Sequence, residues 1–187
     1  MKTRVFNIRG TNGSGKTHLV RTWMDKAGST PYPRRPNLFG GDTLCGPVQY
    51  YVLGDGGIVI GSYETACGGC DMMGSFANIE RAIRERLKDK PPYIVFEGIV
   101  VSTVFKSWFA FSQSIGGMTW AFLDTPLKVC LERVYGRNRG ARIGEDLLSD
   151  KYRAIHAVRV KAIEVGEKVV ILDWHNPLPA FKKLVRP

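Results

Sequence analysis

The chain reads as an α/β protein, a parallel sheet with helices on both faces. Three observations predict this. An apolar-alternating run, Val5, Phe6 and Ile8, stops at Gly10, and an amphipathic segment opens shortly after it with Leu19, Val20, Trp23 and Met24. Strand-like and helix-periodic runs then alternate along the chain, the order of βαβ units. Between the first strand and the first helix stands Gly10-Thr-Asn-Gly-Ser-Gly-Lys-Thr17, which fits G-x-x-x-x-G-K-T in the strand–loop–helix context that a phosphate-binding P-loop requires.

The loop's composition follows from its chemistry. Gly10, Gly13 and Gly15 let the backbone curl so that N–H groups converge on phosphate oxygens. The next helix adds its positive dipole end. Gly10, Asn12, Gly13, Ser14, Gly15, Lys16 and Thr17 are thus the candidate triphosphate-binding residues, with Lys16 on the β- and γ-phosphates and the Thr17 hydroxyl on Mg²⁺.

The first helix is expected from about Lys16 to Ala27. Gly28-Ser-Thr-Pro-Tyr-Pro-Arg-Arg-Pro36 breaks it and reads as a loop. Val48 to Tyr63 holds two strand-like runs around Gly54-Asp-Gly-Gly57, hence a hairpin. After a second flexible loop at 65–69, Asp71 can cap a helix from Met72 to Lys88, with Met72, Phe76, Ile79, Ile83 and Leu87 on one stripe. Pro91-Pro92 ends it, and Tyr93-Ile-Val-Phe-Glu97 is a buried strand. Ser102 to Ile115 reads as one helix and Met118 to Leu123 as the next strand. Asp124-Thr-Pro126 opens a further helix, since Pro suits its first turn. A glycine- and arginine-rich stretch follows. The pattern ends with a helix from Asp150 to Val165, a strand from Lys168 to Leu172 and a short basic helix.

At 187 residues this is a single domain with room for one sizeable core. No apolar run is long enough to span a membrane, and Met1-Lys-Thr-Arg-Val5 enters a strand without a secretory h-region, so a soluble cytoplasmic protein is expected. The charge is strongly basic: 27 Lys and Arg against 17 Asp and Glu give +10. Such a balance fits a polyanionic partner, nucleic acid above all; the alternative is a solubility feature combined with phosphate-binding arginines. Cys67 and Cys70 have C-x-x-C spacing, but no second such pair completes a four-ligand zinc site. Reduced thiols in a tight glycine loop fit best, with a metal site and a redox pair as alternatives.

Ligands of a parallel sheet collect beyond the carboxyl ends of its strands. Three chemical sequences fall there: Gly10–Thr17, Glu97-Gly98 and Asp124. Glu97, ending an apolar strand, is a candidate for holding the Mg²⁺ shell or for taking a proton from an attacking hydroxyl; the bland alternative is a strand-end carboxylate. Arg133 and Arg137 share a helix face, and Arg139 and Arg142 lie in the glycine-flanked loop. They are candidates for a mobile lid that stabilises a transferring phosphoryl group, against a merely solvated charged loop. Asp71 is either an acceptor-side base or a plain N-cap.

In order and residues, Gly10–Thr17, Phe96-Glu97-Gly98, Phe122-Leu-Asp-Thr-Pro126 with Cys130-Leu131, Arg133 and Arg137, and Val170-Ile-Leu-Asp173 resemble the P-loop kinases of the nucleoside and nucleotide kinase group. The resemblance spans roughly residues 4–175. It implies a five-stranded parallel core with an inserted β-hairpin, an arginine-rich lid at 135–149 and an acceptor-binding region at 31–75. It also implies ATP and Mg²⁺ as cofactors, with Trp174 in the loop that borders the adenine and Arg139 over the phosphates. The Asp-Arg pair of thymidylate kinases and the long adenylate-kinase lid are missing from the sequence. More narrowly, the hairpin followed by Gly61-Ser-Tyr63 and Cys67-Gly-Gly-Cys-Asp71 is similar to bacteriophage kinases that phosphorylate 5-hydroxymethyluracil within DNA. That similarity implies DNA carrying a modified pyrimidine as partner, in the cytoplasm of a phage-infected bacterium. Tyr50, Tyr51, Tyr63 and Phe76 are then candidates for stacking on an extruded base.

Three functions follow in order: a kinase acting on a hydroxyl of a DNA base, a kinase of a free nucleotide or other small metabolite, and a P-loop switch or DNA-binding ATPase with no acceptor. The arginine stretch argues against the last.

Overall fold

The computed structural model describes residues 2–32, 34–36, 42–44, 49–65, 68–138 and 144–186, with backbone alone for 34–36 and 42–44. In chain order the elements are β1 (Arg4–Arg9), α1 (Lys16–Ala27), β2 (Ser29–Tyr32), β3 (Arg34–Pro36), β4 (Asp42–Leu44), β5 (Tyr50–Leu53) and β6 (Ile58–Ile60). A single 3₁₀ turn (Cys70–Met73) leads into α2 (Phe76–Lys88), β7 (Tyr93–Glu97), α3 (Ile99–Thr103) and α4 (Lys106–Ser114). β8 (Thr119–Leu123), α5 (Leu127–Arg137), α6 (Glu145–Glu164), β9 (Lys168–Leu172) and α7 (Pro177–Val185) complete the described chain.

Seven strands form one sheet in the order β2-β5-β6-β7-β1-β8-β9. The five from β6 to β9 are mutually parallel, as expected; β5 pairs antiparallel with β6, and β2 antiparallel with β5. The hairpin is therefore not an appendage, because its second arm, β6, is a core strand beside β7. β1 sits centrally, and its side chains alternate between two cores. Phe6 and Ile8 join Leu19, Val20 and Trp23 of α1 and Phe181 and Val185 of α7 on one face. Val5 joins Ile79 and Ile83 of α2, Trp108 and Phe111 of α4 and Ile155 and Val158 of α6 on the other. Among the described residues, no helix is long and apolar enough to cross a membrane.

Several boundaries differ from expectation for local physical reasons. Part of the Pro-rich loop is β2, an edge strand that tolerates Pro31 because one side of an edge needs no ladder partner. Asp71 does not cap α2. A turn ending at Gly74 (φ 78°) intervenes, and Ser75 caps the helix by accepting from the Asn78 N–H at 3.2 Å, worth about 1 kcal/mol. The helix expected over 102–115 is two helices, α3 and α4, separated by extended backbone at Val104 (φ −104°, ψ 126°). α6 starts at Glu145 rather than Asp150.

Candidate active site

β1 delivers the P-loop from the middle of the sheet, and the register places Ile8 beside Glu97 at the end of β7. Gly13 (φ 78°) and Gly15 (φ 98°) adopt backbone that L side chains rarely adopt. A Cβ on Gly13 would also lie 2.5 Å from the Cys130 carbonyl, so the loop packs directly on α5. Thr125 ties it from the same side, its hydroxyl donating to the Ser14 carbonyl at 2.8 Å. On the other side the Ser102 hydroxyl accepts from the Gly10 N–H at 3.3 Å and donates to the Gly98 carbonyl at 2.6 Å.

Arg9 completes this frame. It is fully buried and stacks on Trp120 with its guanidinium 4.0 Å from the ring centre. It donates to the Ser102 and Val104 carbonyls at 3.1 and 3.2 Å, where α3 ends, and to the Asn7 amide oxygen once that amide is turned to face it. Burial pulls its pKa down, and the carbonyls at the end of α3 supply the partial negative charge in place of a carboxylate.

The expected phosphate-binding residues meet in one cavity of about 290 Å³. Asn12, Gly13, Gly15, Lys16 and Thr17 line it, together with Arg21, Gly68, Asp71, Glu97, Ile99, Arg133 and Arg137. Gly10 and Ser14 flank it. Four cations against two carboxylates make the cavity a sink for a polyanion. Lys16 is only 7% exposed, and burial lowers its pKa against the opposing pull of Glu97. Its ammonium donates to the Thr11 carbonyl at 3.1 Å. The hydroxyls of Thr11 and Ser14 are buried without partners, as expected of groups placed for an anion.

Glu97 forms the floor at 1% exposure. Burial pushes its pKa up to about 7, against the lowering influence of Lys16 and of the Thr17 hydroxyl, which donates to it at 2.9 Å. These two hard oxygens face the cavity together. Among the described residues no group of three or more His, Cys, Asp or Glu could hold a metal. That suits Mg²⁺, which keeps water and phosphate oxygens as most of its ligands, better than an all-protein cage.

Asp71 lines the same cavity. Its oxygens accept from the Ile99 and Val100 N–H groups at 2.9 and 3.0 Å, so it caps α3 rather than α2. Each oxygen keeps a lone pair for another donor. Gly69 (φ 94°) lets the loop before it press on the floor, where a Cβ would lie 2.5 Å from a Glu97 carboxylate oxygen. Cys70, next in the chain, is buried, with its thiol donating to the Ile60 carbonyl and its pKa raised by that burial. It is a neutral packing thiol. Cys67 and Cys45 lie outside the described residues.

Arg133 donates to the Gly13 carbonyl at 3.2 Å, and its guanidinium stands 5.2 Å from the Trp174 ring centre. Trp174, His175, Pro177, His18, Ser14 and Arg133 line an adjoining cavity of about 530 Å³, of a size and aromatic character that suit a purine. Arg137 reaches the first cavity from the end of α5. Arg139 and Arg142 lie outside the described residues, as does the middle of the expected lid; its flanks belong to α5 and α6. Asp124 is ion-paired with Arg159 of α6 at 2.8 Å.

The expected aromatic platform is not assembled. Tyr51 and Tyr63 are core residues at 5% and 7% exposure. Phe76 packs edge-on against Trp108, and Tyr50 stacks on Tyr32 beneath Arg86. Two residues absent from the expectations help build the site. Arg21, one helical turn after Thr17, lines the cavity and donates to the Tyr63 and Thr65 carbonyls. Its i+4 spacing from Thr17 was the available signal. Ser102 gave none, because the loop it braces, at Gly10, lies far back in the chain.

A family model described as 5-hmdU DNA kinase matches residues 1–171. The chain is 39% identical over 188 residues to a 5-hmdU DNA kinase of Pseudomonas phage M6, covering 97% of both chains. It is 36% identical over 192 residues to a 5-hmdU DNA kinase of Pseudomonas phage PaMx11, covering 98% of both. Among solved structures, a gluconokinase from Sinorhizobium meliloti 1021 superposes with a TM-score of 0.53 at 19% identity, over 98% of this chain and 90% of that one, a likeness of fold.

Proposed function

The chain belongs to the 5-hmdU DNA kinase family, and from that premise we propose how its own residues transfer the γ-phosphate of ATP to the 5-hydroxymethyl group of hydroxymethyluracil in DNA. One observation carries the residue assignments: the P-loop, Glu97, two arginines of α5 and the acceptor-side Gly68 and Asp71 line a single cavity.

The triphosphate lies along Gly10–Thr17, its oxygens met by loop N–H groups and the first turn of α1. Lys16 leaves the Thr11 carbonyl for the β- and γ-phosphates. The adenine enters the cavity beside Trp174. Thr17 and Glu97 would hold Mg²⁺, which neutralises phosphate charge when bound. Arg133 and Arg137 face the transferring group and balance the charge on its equatorial oxygens. The hydroxymethyl oxygen attacks the γ-phosphorus, the bond to the β,γ-bridging oxygen breaks and ADP leaves. The hydroxyl proton passes to Asp71, which the α3 N–H groups hold in a fixed orientation. Residues 31–75 are the region we assign to the acceptor.

Incubation with γ-labelled ATP and, separately, hydroxymethyluracil DNA, ordinary DNA and a panel of free nucleotides tests the reading. Label is expected in hydroxymethyluracil DNA alone. Label only in free nucleotides, or only as inorganic phosphate, would overturn it. Lys16→Ala is expected to abolish transfer, a loss of about 10³-fold or more.

A further inference from the structure

We propose that Met72 is a wedge that enters duplex DNA and fills the stack vacated by the target base, which is turned out into the cavity. This rests on the DNA-kinase reading above and extends it to how a base within a duplex reaches the site.

The recess of Lys16 and Glu97, which would hold the phosphoryl donor, favours extrusion. Glu97 is 1% exposed and Lys16 7%, so the phosphoryl donor is held below the protein surface. In duplex DNA a 5-hydroxymethyl group projects only a bond or two from the base edge, at the floor of a major groove about 8.5 Å deep. Its phosphate walls stand between that hydroxyl and the recessed residues that would hold the donor. Turning the nucleotide out of the helix removes the obstacle, at the cost of an unstacked gap.

The residues around Asp71 carry what such a gap needs. Met72 is 58% exposed, and Val100 and Val104, in and just after the helix that Asp71 caps, are 42% and 37% exposed. Met72 protrudes from a turn whose other members are all anchored. Cys70 is buried, Asp71 caps α3, and Met73 packs on the core while its carbonyl accepts from the Asn78 amide at 2.9 Å. Gly69 and Gly74, both at positive φ, bracket the turn. An unbranched, polarisable side chain thus stands on an anchored backbone next to Asp71, exposed to solvent. Apolar side chains inserted between base steps work in this way in proteins that kink DNA. The overall charge of +10 and the cavity arginines supply attraction for the flanking phosphates.

The test uses one oligonucleotide with a single hydroxymethyluracil and a neighbouring 2-aminopurine, as a duplex and as a single strand. With the unaltered protein, 2-aminopurine fluorescence in the duplex is expected to rise on binding. Met72→Ala should lose that rise and lower duplex phosphorylation by about tenfold or more, while single-strand phosphorylation stays within about twofold. Met72→Leu should restore the duplex activity. Equal effects of Met72→Ala on both substrates, no effect on the duplex, or phosphorylation of the duplex without a fluorescence rise would each overturn the wedge. Failure of the unaltered protein to label either form would overturn the substrate assignment and, with it, the wedge.

Discussion

Glu97→Gln should make the nucleotide-free protein more stable at alkaline pH while removing its phosphoryl transfer. In the unfolded chain the carboxyl titrates at its ordinary 4.5; in the fold, burial raises it to about 7. Below 4.5 both states carry the proton and the residue costs nothing. As pH rises through this window the unfolded chain gives up its proton first, so stability falls until the folded carboxyl has also ionised. Each pH unit of the window is worth about 1.4 kcal/mol, giving a cost of about 3 kcal/mol at pH 8. For a chain of this length that is a melting difference of about 6–12 °C. The amide that replaces the carboxyl keeps its shape and an oxygen for the Thr17 hydroxyl but never ionises. Thermal melts of both proteins are expected to coincide at about pH 4, below the window, and to diverge by about pH 8, with Glu97→Gln the higher. A gap of equal size at both pH values, or one of opposite sign at pH 8, would refute the reasoning. The original residue is the less stable choice, the pattern of a site whose charge is meant to meet a bound cation.

Two other substitutions probe the remaining assignments. Arg133→Ala removes a cation from both cavities and from the Trp174 ring; kcat/KM for ATP should fall by about 10³-fold, with the melting temperature almost unchanged because the side chain is exposed. Asp71→Asn keeps one acceptor for the α3 N–H groups but cannot take a proton; steady-state kinetics should show kcat lowered by about 10²-fold with KM for ATP nearly constant.

The P-loop and the strand ending at Glu97 were legible because each is written in contiguous residues. The glycines, the Lys-Thr pair and the apolar run carry their own geometry. The parallel core was legible from the alternation of periods. Which helix Asp71 caps was not, because its partners Ile99 and Val100 lie far along the chain and an N-cap reads the same whichever helix it caps. The tyrosines misled for a related reason. On a strand, one of Tyr50 and Tyr51 had to face each side, but the alternation does not tell which side is covered, and both Tyr51 and Tyr63 proved to be core. The division of the helix after β7 depends on Arg9 gathering the carbonyls at the end of α3, a contact across the sheet that no local pattern encodes.

Arg9 also bears on how the chain finds its fold. β1 is a run of apolar residues bounded by cores on both faces, so hydrophobicity alone would allow it to pair with β7 one residue out of step. Such a slip would turn every side chain over. Arg9 would then leave the α3 carbonyls and the Trp120 ring and point into the core around Ile8 and Leu123, carrying a charge with no acceptor, at a cost of several kcal/mol. A single guanidinium therefore acts as a proofreading device during assembly. It penalises the misaligned register, and so fixes the height at which Lys16 and Glu97 face one another.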